Sequence, residues 1–203
     1  MNKLKQNKEQ KRDAILKAAQ EIFLTNGYIQ TSMDQIAEKA QVTKQTVYRY
    51  FSSKEILFES TLKTLRERPD RHFTDQLNKP DTQEALVGFA IGFIQAHLSK
   101  EHLATVRLLI SENAKAPELT RRFFLIGPNE TGLKLDAFLK DRFNMKETSH
   151  PIRMWTGMLL AIRTGVLMGL EPPTKSEIEE YAEKTTVFFM KSLSADNQTP
   201  RHI

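Results

Sequence analysis

The sequence predicts an all-α protein of about nine helices, and three observations carry that prediction. Apolar residues recur at i, i+3, i+4 and i+7 along nearly the whole chain. Several of these stretches open on Ser, Thr or Asp with Glu or Gln three residues later, the pattern of a capping box. Strand signals are almost absent, with few alternating β-branched runs and no hairpin turn between them.

Taken in order, Ile15, Ala18, Ala19, Ile22 and Phe23 share one face of a first helix, over 11–27, which Gly27 ends as a C-cap. Ser32-x-x-Gln35 opens a short helix to about Ala40, and Thr43 caps another over 44–50. Ser52-x-x-Glu55 starts a fourth, with Ile56, Leu57, Leu62 and Leu65, which must weaken before Pro69. Residues 70–80 read as a connection. Asp81-x-x-Glu84 caps a helix bearing Leu86, Phe89, Ala90, Phe93, His97 and Leu98. The next, over 101–115, carries Leu103, Val106, Leu109 and Ile110 and stops before Pro117. Residues 118–143 are helical again, with a kink or split at Gly127-Pro128. Pro151 suits the first turn of a helix reaching about Gly169. After Pro172-Pro173, Thr174-x-x-Glu177 caps a last helix with Ile178, Tyr181, Thr185, Phe188 and Phe189, and the final nine residues read as frayed.

Composition narrows the class. The chain has 203 residues, 39% of them hydrophobic and 27% charged, which is enough to build a core and too apolar for wholesale disorder. The charged start MNKLKQNKEQKR is no signal peptide. The longest apolar window, 154–170, is only 17 residues and holds Arg163, short of the roughly 20 that a membrane span needs. With no cysteine there is neither a disulfide nor a thiolate metal site. A soluble, cytoplasmic chain with no membrane partner is expected. Charge is distributed unevenly: residues 1–68 hold 13 Lys+Arg against 8 Asp+Glu, and residues 69–203 hold 17 of each. Excess positive charge in the first third points to a polyanion. The chain is therefore divided into a head, 1–68, and a larger body, 69–203.

The informative stretch is Thr31 to Phe58. Two helices are joined by only Gln41-Val42-Thr43, so Ile36, Ala37 and Ala40 must meet Val47 and Phe51 at a steep crossing, a helix-turn-helix. The second helix then exposes Lys44, Gln45, Thr46, Tyr48 and Arg49, side chains that suit phosphates and base edges. Thr31, Ser32 and Thr43 also serve as ordinary caps, and Tyr48 and Tyr50 as packing residues. The basic arm, Lys3 to Arg12, is either a DNA contact or a mobile tail.

From Lys11 through Glu55 the chain resembles the TetR family of bacterial transcriptional regulators. The resemblance rests on Thr31-Ser32, Asp34-Gln35-Ile36-Ala37, Val42-Thr43-Lys44, Tyr48-Arg49-Tyr50-Phe51 and Ser53-Lys54-Glu55. It implies an all-α homodimer whose head binds a double-stranded DNA operator and whose body takes a small-molecule inducer. By position it assigns Thr31, Thr43, Tyr48, Tyr50 and Lys54 to phosphates, and Lys44, Gln45, Thr46 and Arg49 to the bases. Gln41 stands where the family often has glycine, at a turn of positive φ. Residues 107–128 look similar to the body of the family's multidrug-efflux regulators.

In the body, Phe89, Phe93, His97, Arg107 and Trp155 are candidates to line a pocket for an amphipathic ligand, with plain core the competing reading for the aromatics and a structural role or simple exposure the competing one for His97 and Arg107. Gly157, Ala161, Gly165 and Gly169 recur every four residues on the helix after Pro151. That stripe predicts close packing of another helix, from a second subunit or from the same one. Ile162, Val166, Phe188 and Phe189 would surround it. No phosphate-loop, Gly-x-Gly-x-x-Gly, Gly-x-Ser-x-Gly or His-Glu-x-x-His motif is present, so no catalytic residue and no cofactor are assigned. His97 and His102 are five apart, off a shared helix face, and no metal site is assigned. A constitutive architectural DNA binder and an enzyme built on the helical body are the rival functions.

Overall fold

The computed structural model describes residues 3–66, 69–126 and 128–196, with side chains described over 6–64, 72–125 and 131–193. Ten α-helices and one 3-10 segment make up these residues. They are α1 (Lys3–Asn26), α2 (Met33–Lys39), α3 (Lys44–Tyr50), α4 (Lys54–Arg66), the 3-10 segment Pro69–Asn78, α5 (Thr82–Leu98), α6 (Lys100–Glu112), α7 (Pro117–Ile126), α8 (Pro128–Phe143), α9 (Ser149–Leu167) and α10 (Lys175–Asp196). The all-α prediction stands, and the count differs in two places. The stretch over 118–143 becomes two helices, and the 70–80 connection is helical. The Gly127 junction and most of the last nine residues, expected to fray, lie outside the described residues.

The start of the first helix, expected at residue 11, is corrected more sharply. Residues 3–12 extend α1 to 24 residues. Lys, Gln and Glu are good helix formers, so a segment with little to bury still continues the helix it precedes.

The chain packs as two compact units. One holds the residues up to 67 together with 104–127; the other holds 68–103 and 128 onward. In the first unit Ile15, Ala19 and Phe23 of α1, Ile36 and Ala37 of α2, Val47 of α3, and Leu57, Phe58 and Leu62 of α4 form one core. Leu108, Leu109, Ala116 and Leu119 complete it, which places the end of α6 and the start of α7 in the unit of the head. An aromatic trio, Phe23, Tyr28 and Phe58, sits at its centre with ring centroids 5.2–5.6 Å apart.

The second unit is built around α5. Leu86, Phe89, Ala90 and Ile94 pack with Leu135 and Leu139 of α8, Trp155 and Leu159 of α9, and Ala182, Phe189 and Leu193 of α10. Each large side chain so buried stabilises by about 1.5–3 kcal/mol. The 3-10 segment lies directly on α5, where Gly92 admits it: a Cβ there would stand 2.5 Å from Phe73 Cβ. Phe73 then meets Phe89 and Phe93 edge-on at 5.3 and 5.5 Å. Sequence periodicity alone could not reveal this contact, since 70–80 has no helical stripe of its own. Among the described residues no helix is long and apolar enough to cross a membrane.

Candidate nucleic-acid interface and the helical body

The geometry of the head is set by its caps. Ser32 Oγ accepts from Gln35 N at 3.2 Å, and Gln35 Oε1 accepts from Ser32 N at 2.8 Å, closing the predicted box at the start of α2. At the other end, Gln41 N donates to Glu38 O and Val42 N to Ala37 O, each at 3.0 Å, a Schellman turn. It requires a left-handed residue, and Gln41 has φ +55°. A residue other than glycine there costs on the order of 1 kcal/mol. Thr43 then caps α3, its Oγ1 accepting from Thr46 N at 3.2 Å. Ile36 and Val47, both fully buried, with Ala37 at 4% exposure, lock the two helices together.

This arrangement turns one face of α3 outward. Thr43, Lys44, Gln45, Tyr48 and Arg49 are exposed, and Thr46 is half-buried. Tyr48 is 45% exposed, a large ring presented to solvent rather than to the core. Lys44 Nζ donates to Asp34 Oδ2 at 2.8 Å, and that bond holds its ammonium above the usual lysine range. Both partners are more than half exposed, so the pair is worth little and exchanging the carboxylate for a phosphate costs little. Tyr50 is half-buried against the core, with the Arg49 guanidinium 5.6 Å from its ring centre.

Two of the residues assigned to phosphates are bonded within the head. Thr31 is 2% exposed, and its Oγ1 donates to Gly27 O at 2.6 Å. Lys54 Nζ donates to the carbonyls of Tyr28, Ile29 and Thr31 at 2.9, 3.3 and 2.8 Å, so its three protons are spent. It also lies 4.5 Å from the Tyr28 ring centre. Both side chains hold the turn between α1 and α2. A hint was present in the sequence, because a lysine opening a helix opposes the macrodipole and needs another reason to be there. The cap of α4 also moves by one residue: Ser53 Oγ, rather than that of Ser52, accepts from Ile56 N at 3.3 Å.

In the body the predicted aromatics form one continuous run. Phe189 stacks on Trp155 at 4.9 Å, Trp155 on Phe89 at 5.4 Å, and Phe89 on Phe93 at 5.5 Å. Phe93 meets the His97 ring at 4.1 Å, and His97 meets His102 at 4.6 Å. Arg163 Nη1 lies 3.4 Å from His102 Nε2 and ends the run. His102 and Arg163 were not among the predicted site residues; Arg163 registered only as a charge inside an apolar window. Arg107 is exposed on the part of α6 that belongs to the first unit, and it is not part of this run.

The small-residue stripe on α9 divides into two kinds of position. Gly169, at φ +102°, is the C′ residue of a Schellman turn in which Leu170 N reaches Gly165 O at 3.0 Å. Leu170 folds back so that a Cβ on Gly165 would stand 2.9 Å from its Cδ1. These two glycines therefore have a role in the end of the helix itself. Gly157 has nothing within 4 Å of a Cβ, and Ala161 is exposed. Of the surrounding residues, Phe188 is 65% exposed and Ile162 half-buried, but Val166 and Phe189 are 5% and 2% exposed and belong to the subunit's own interior.

Comparison with known proteins agrees with this architecture. Residues 15–61 match the family described as bacterial regulatory proteins, tetR family, and residues 84–147 match the AefR-like transcriptional repressor C-terminal domain. The HTH-type transcriptional regulator SrpR of Pseudomonas putida is 31% identical over 93 residues, covering 46% of this chain and 44% of that protein. The chain thus spans under half the length of that relative. The solved Flavonoid-responsive Regulator FrrA is 29% identical with a TM-score of 0.74, over 91% of this chain and 97% of that one. A TetR-family regulator structure from Mesorhizobium loti, 24% identical with a TM-score of 0.77, covers the same shares and shows the same fold. Two family matches spanning both the helix-turn-helix head and the helical body leave one assignment, and this chain belongs to the TetR family of DNA-binding transcriptional regulators.

Proposed function

We propose that this regulator is a repressor that binds a near-palindromic operator as a homodimer in the cytoplasm and is released by a small amphipathic ligand. The outward face of α3 carries the reading: Lys44, Gln45, Tyr48 and Arg49 are exposed together on a helix held rigidly by the caps at Ser32 and Thr43. Thr43, Thr46 and Tyr50 flank that face. Two such helices in successive major grooves stand about 34–36 Å apart.

The dimer proposal rests on the open part of α9 and α10. Met154 and Phe188 are 69% and 65% exposed, and beside them Gly157 and Ala161 leave room for a close helix. A second copy presenting the same face gives a self-complementary four-helix contact. Repression is supported by the repressor description of the family that residues 84–147 match, and ligand response by the name of the Flavonoid-responsive Regulator FrrA. To act as a switch, the ligand must favour the conformation that does not bind DNA, by a coupling energy of about 1–3 kcal/mol.

The test is the Lys44→Ala/Tyr48→Ala double variant. Operator affinity, measured on DNA fragments selected by the wild-type protein, falls at least tenfold while helical content is unchanged. Wild-type binding weakens steeply with salt, by a log–log slope of about −0.9 per phosphate neutralised. Unchanged affinity in the variant removes α3 from the DNA. Binding that shows no preferred sequence favours a constitutive architectural protein instead.

A further inference from the structure

We infer that the body's ligand is an organic anion, a carboxylate on an apolar frame, and that Arg163 receives the carboxylate. This rests on the ligand-release reading and gives that ligand its chemical class.

Arg163 stands on α9 among the apolar residues of the second unit. Its Nε is buried and has no hydrogen-bond partner. No carboxylate among the described residues forms an ion pair with it, and burial alone pulls its guanidinium below the usual arginine range. Among the described residues the one polar side chain it meets is His102, whose Nε2 lies 3.4 Å from Nη1. A guanidinium can only donate, so in this contact Nε2 is the acceptor. His102 is 5% exposed and offers no negative charge in return. A partly desolvated cation without a counter-charge is costly, and proteins retain one where an anion is to be received. The planar fork of arginine fits a carboxylate through two parallel hydrogen bonds.

The surroundings define the rest of the ligand. The rings of His97, Phe93, Phe89 and Trp155 lead away from His102 in an unbroken sequence of contacts. Trp155 precedes Arg163 by eight residues on the same helix, about 12 Å along the axis. In the same unit two further polar atoms in fully buried residues lack partners, Trp155 Nε1 and Thr186 Oγ1. Tryptophan Nε1 can only donate. The second unit therefore combines a run of stacked aromatic rings with buried polar atoms and a guanidinium that no carboxylate pairs among the described residues. A neutral or cationic ligand leaves Arg163 unpaired, whereas a carboxylate answers it.

The experiment uses the full chain and four probes: decanoate, 3-phenylpropanoate and the neutral amide of each. Binding is followed by calorimetry and by release of the operator. At least one acid binds wild type at least tenfold more tightly than its amide, and the identity of that acid separates an aliphatic from an aromatic frame. Arg163→Met, close in length and free of charge, retains helical content and operator binding but loses the acid-over-amide preference. A charged hydrogen bond corresponds to about 10–100-fold in affinity. Arg163→Lys keeps the charge without the fork and falls between the two. The inference is overturned if neither acid binds, if acid and amide bind wild type alike, or if Arg163→Met still prefers the acid. The ligand-release reading fails separately. If an acid binds through Arg163 without releasing DNA, the anion site stands and release does not. If the amides release DNA as well as the acids do, release stands and the anion site does not.

Discussion

The head and the body differ in how many buried polar groups they leave unmet. Around the helix-turn-helix Thr31 bonds Gly27 O and Lys54 bonds three carbonyls, and among the described residues Tyr28 Oη is the one buried side-chain polar atom there without a partner. The polar side chains of α3 are open on the surface. In the body, Trp155 Nε1, Arg163 Nε and Thr186 Oγ1 are buried without partners, three of the four such atoms among the described residues. A surface that meets DNA needs a rigid support, because its contacts must keep a fixed register on the duplex. An interior that takes a ligand needs unmet hydrogen-bonding capacity, because that is what a ligand can satisfy.

Neighbouring phenylalanines on α10 give the sharpest test of where the body's interior ends. Phe189, stacked on Trp155, should cost about 3–5 kcal/mol when replaced by alanine. Phe188→Ala should change monomer stability by no more than about 0.5 kcal/mol, yet weaken self-association. Thermal denaturation and sedimentation of the two variants check this. Equal destabilisation, or a Phe188→Ala dimer as tight as wild type, breaks the distinction between the buried and the open face.

In the head, Lys54→Met should destabilise by about 1.5–3 kcal/mol, since it strips three carbonyls of a charged donor. Operator binding should recover where the variant is kept folded at low temperature. A stable variant with lost DNA affinity would return Lys54 to the phosphates. Gln41→Gly should act in the other direction, stabilising by about 1 kcal/mol because glycine enters φ +55° without strain. A loss of stability there would mean that the Gln41 side chain holds the turn.

The smallest effect is in the body, at the entry to α9. Glu147 accepts from Ser149 N at 2.8 Å, and its bonds to Ser149 hold its carboxyl at about 2 instead of the ordinary 4.5. Thr148 Oγ1 donates to Asp136, whose carboxyl is lowered by that bond first and then by Lys140. Because the folded value is depressed, the contribution of Glu147 is complete above about pH 4.5 and fades as pH falls towards 2. Carboxyl chemical shifts should show Glu147 titrating near 2, and Glu147→Gln should remove the acid-side loss. A midpoint near 4.5 would mean that the capping contact is absent in solution.

Most of the head could be read in the sequence because its determinants are local. Ser32 and Gln35, Thr43 and Thr46, and the small Ala37 opposite Val47 act over a few residues, so spacing alone predicts the contacts. The carbonyl partners of Thr31 and Lys54 could not be read, because they lie on a turn whose shape is decided only when α1 and α4 pack. The body was legible as helices and little more. Adjacent Phe188 and Phe189 have opposite fates, and neither composition nor period separates them. The stripe of small residues on α9 looked uniform, yet Gly165 and Gly169 answer to Leu170 while Gly157 faces open space.

The sequence by itself determined the all-α class, the start of most helices and the polar face of α3, since capping and amphipathic period depend on residues within one or two turns. Only the tertiary structure decided that the 3-10 segment lies on Gly92, that Lys54 is consumed by carbonyls, and that Arg163 is left beside His102 with no carboxylate paired to it among the described residues. Those outcomes depend on which distant side chains arrive at the same place, and a one-dimensional pattern does not contain that distance.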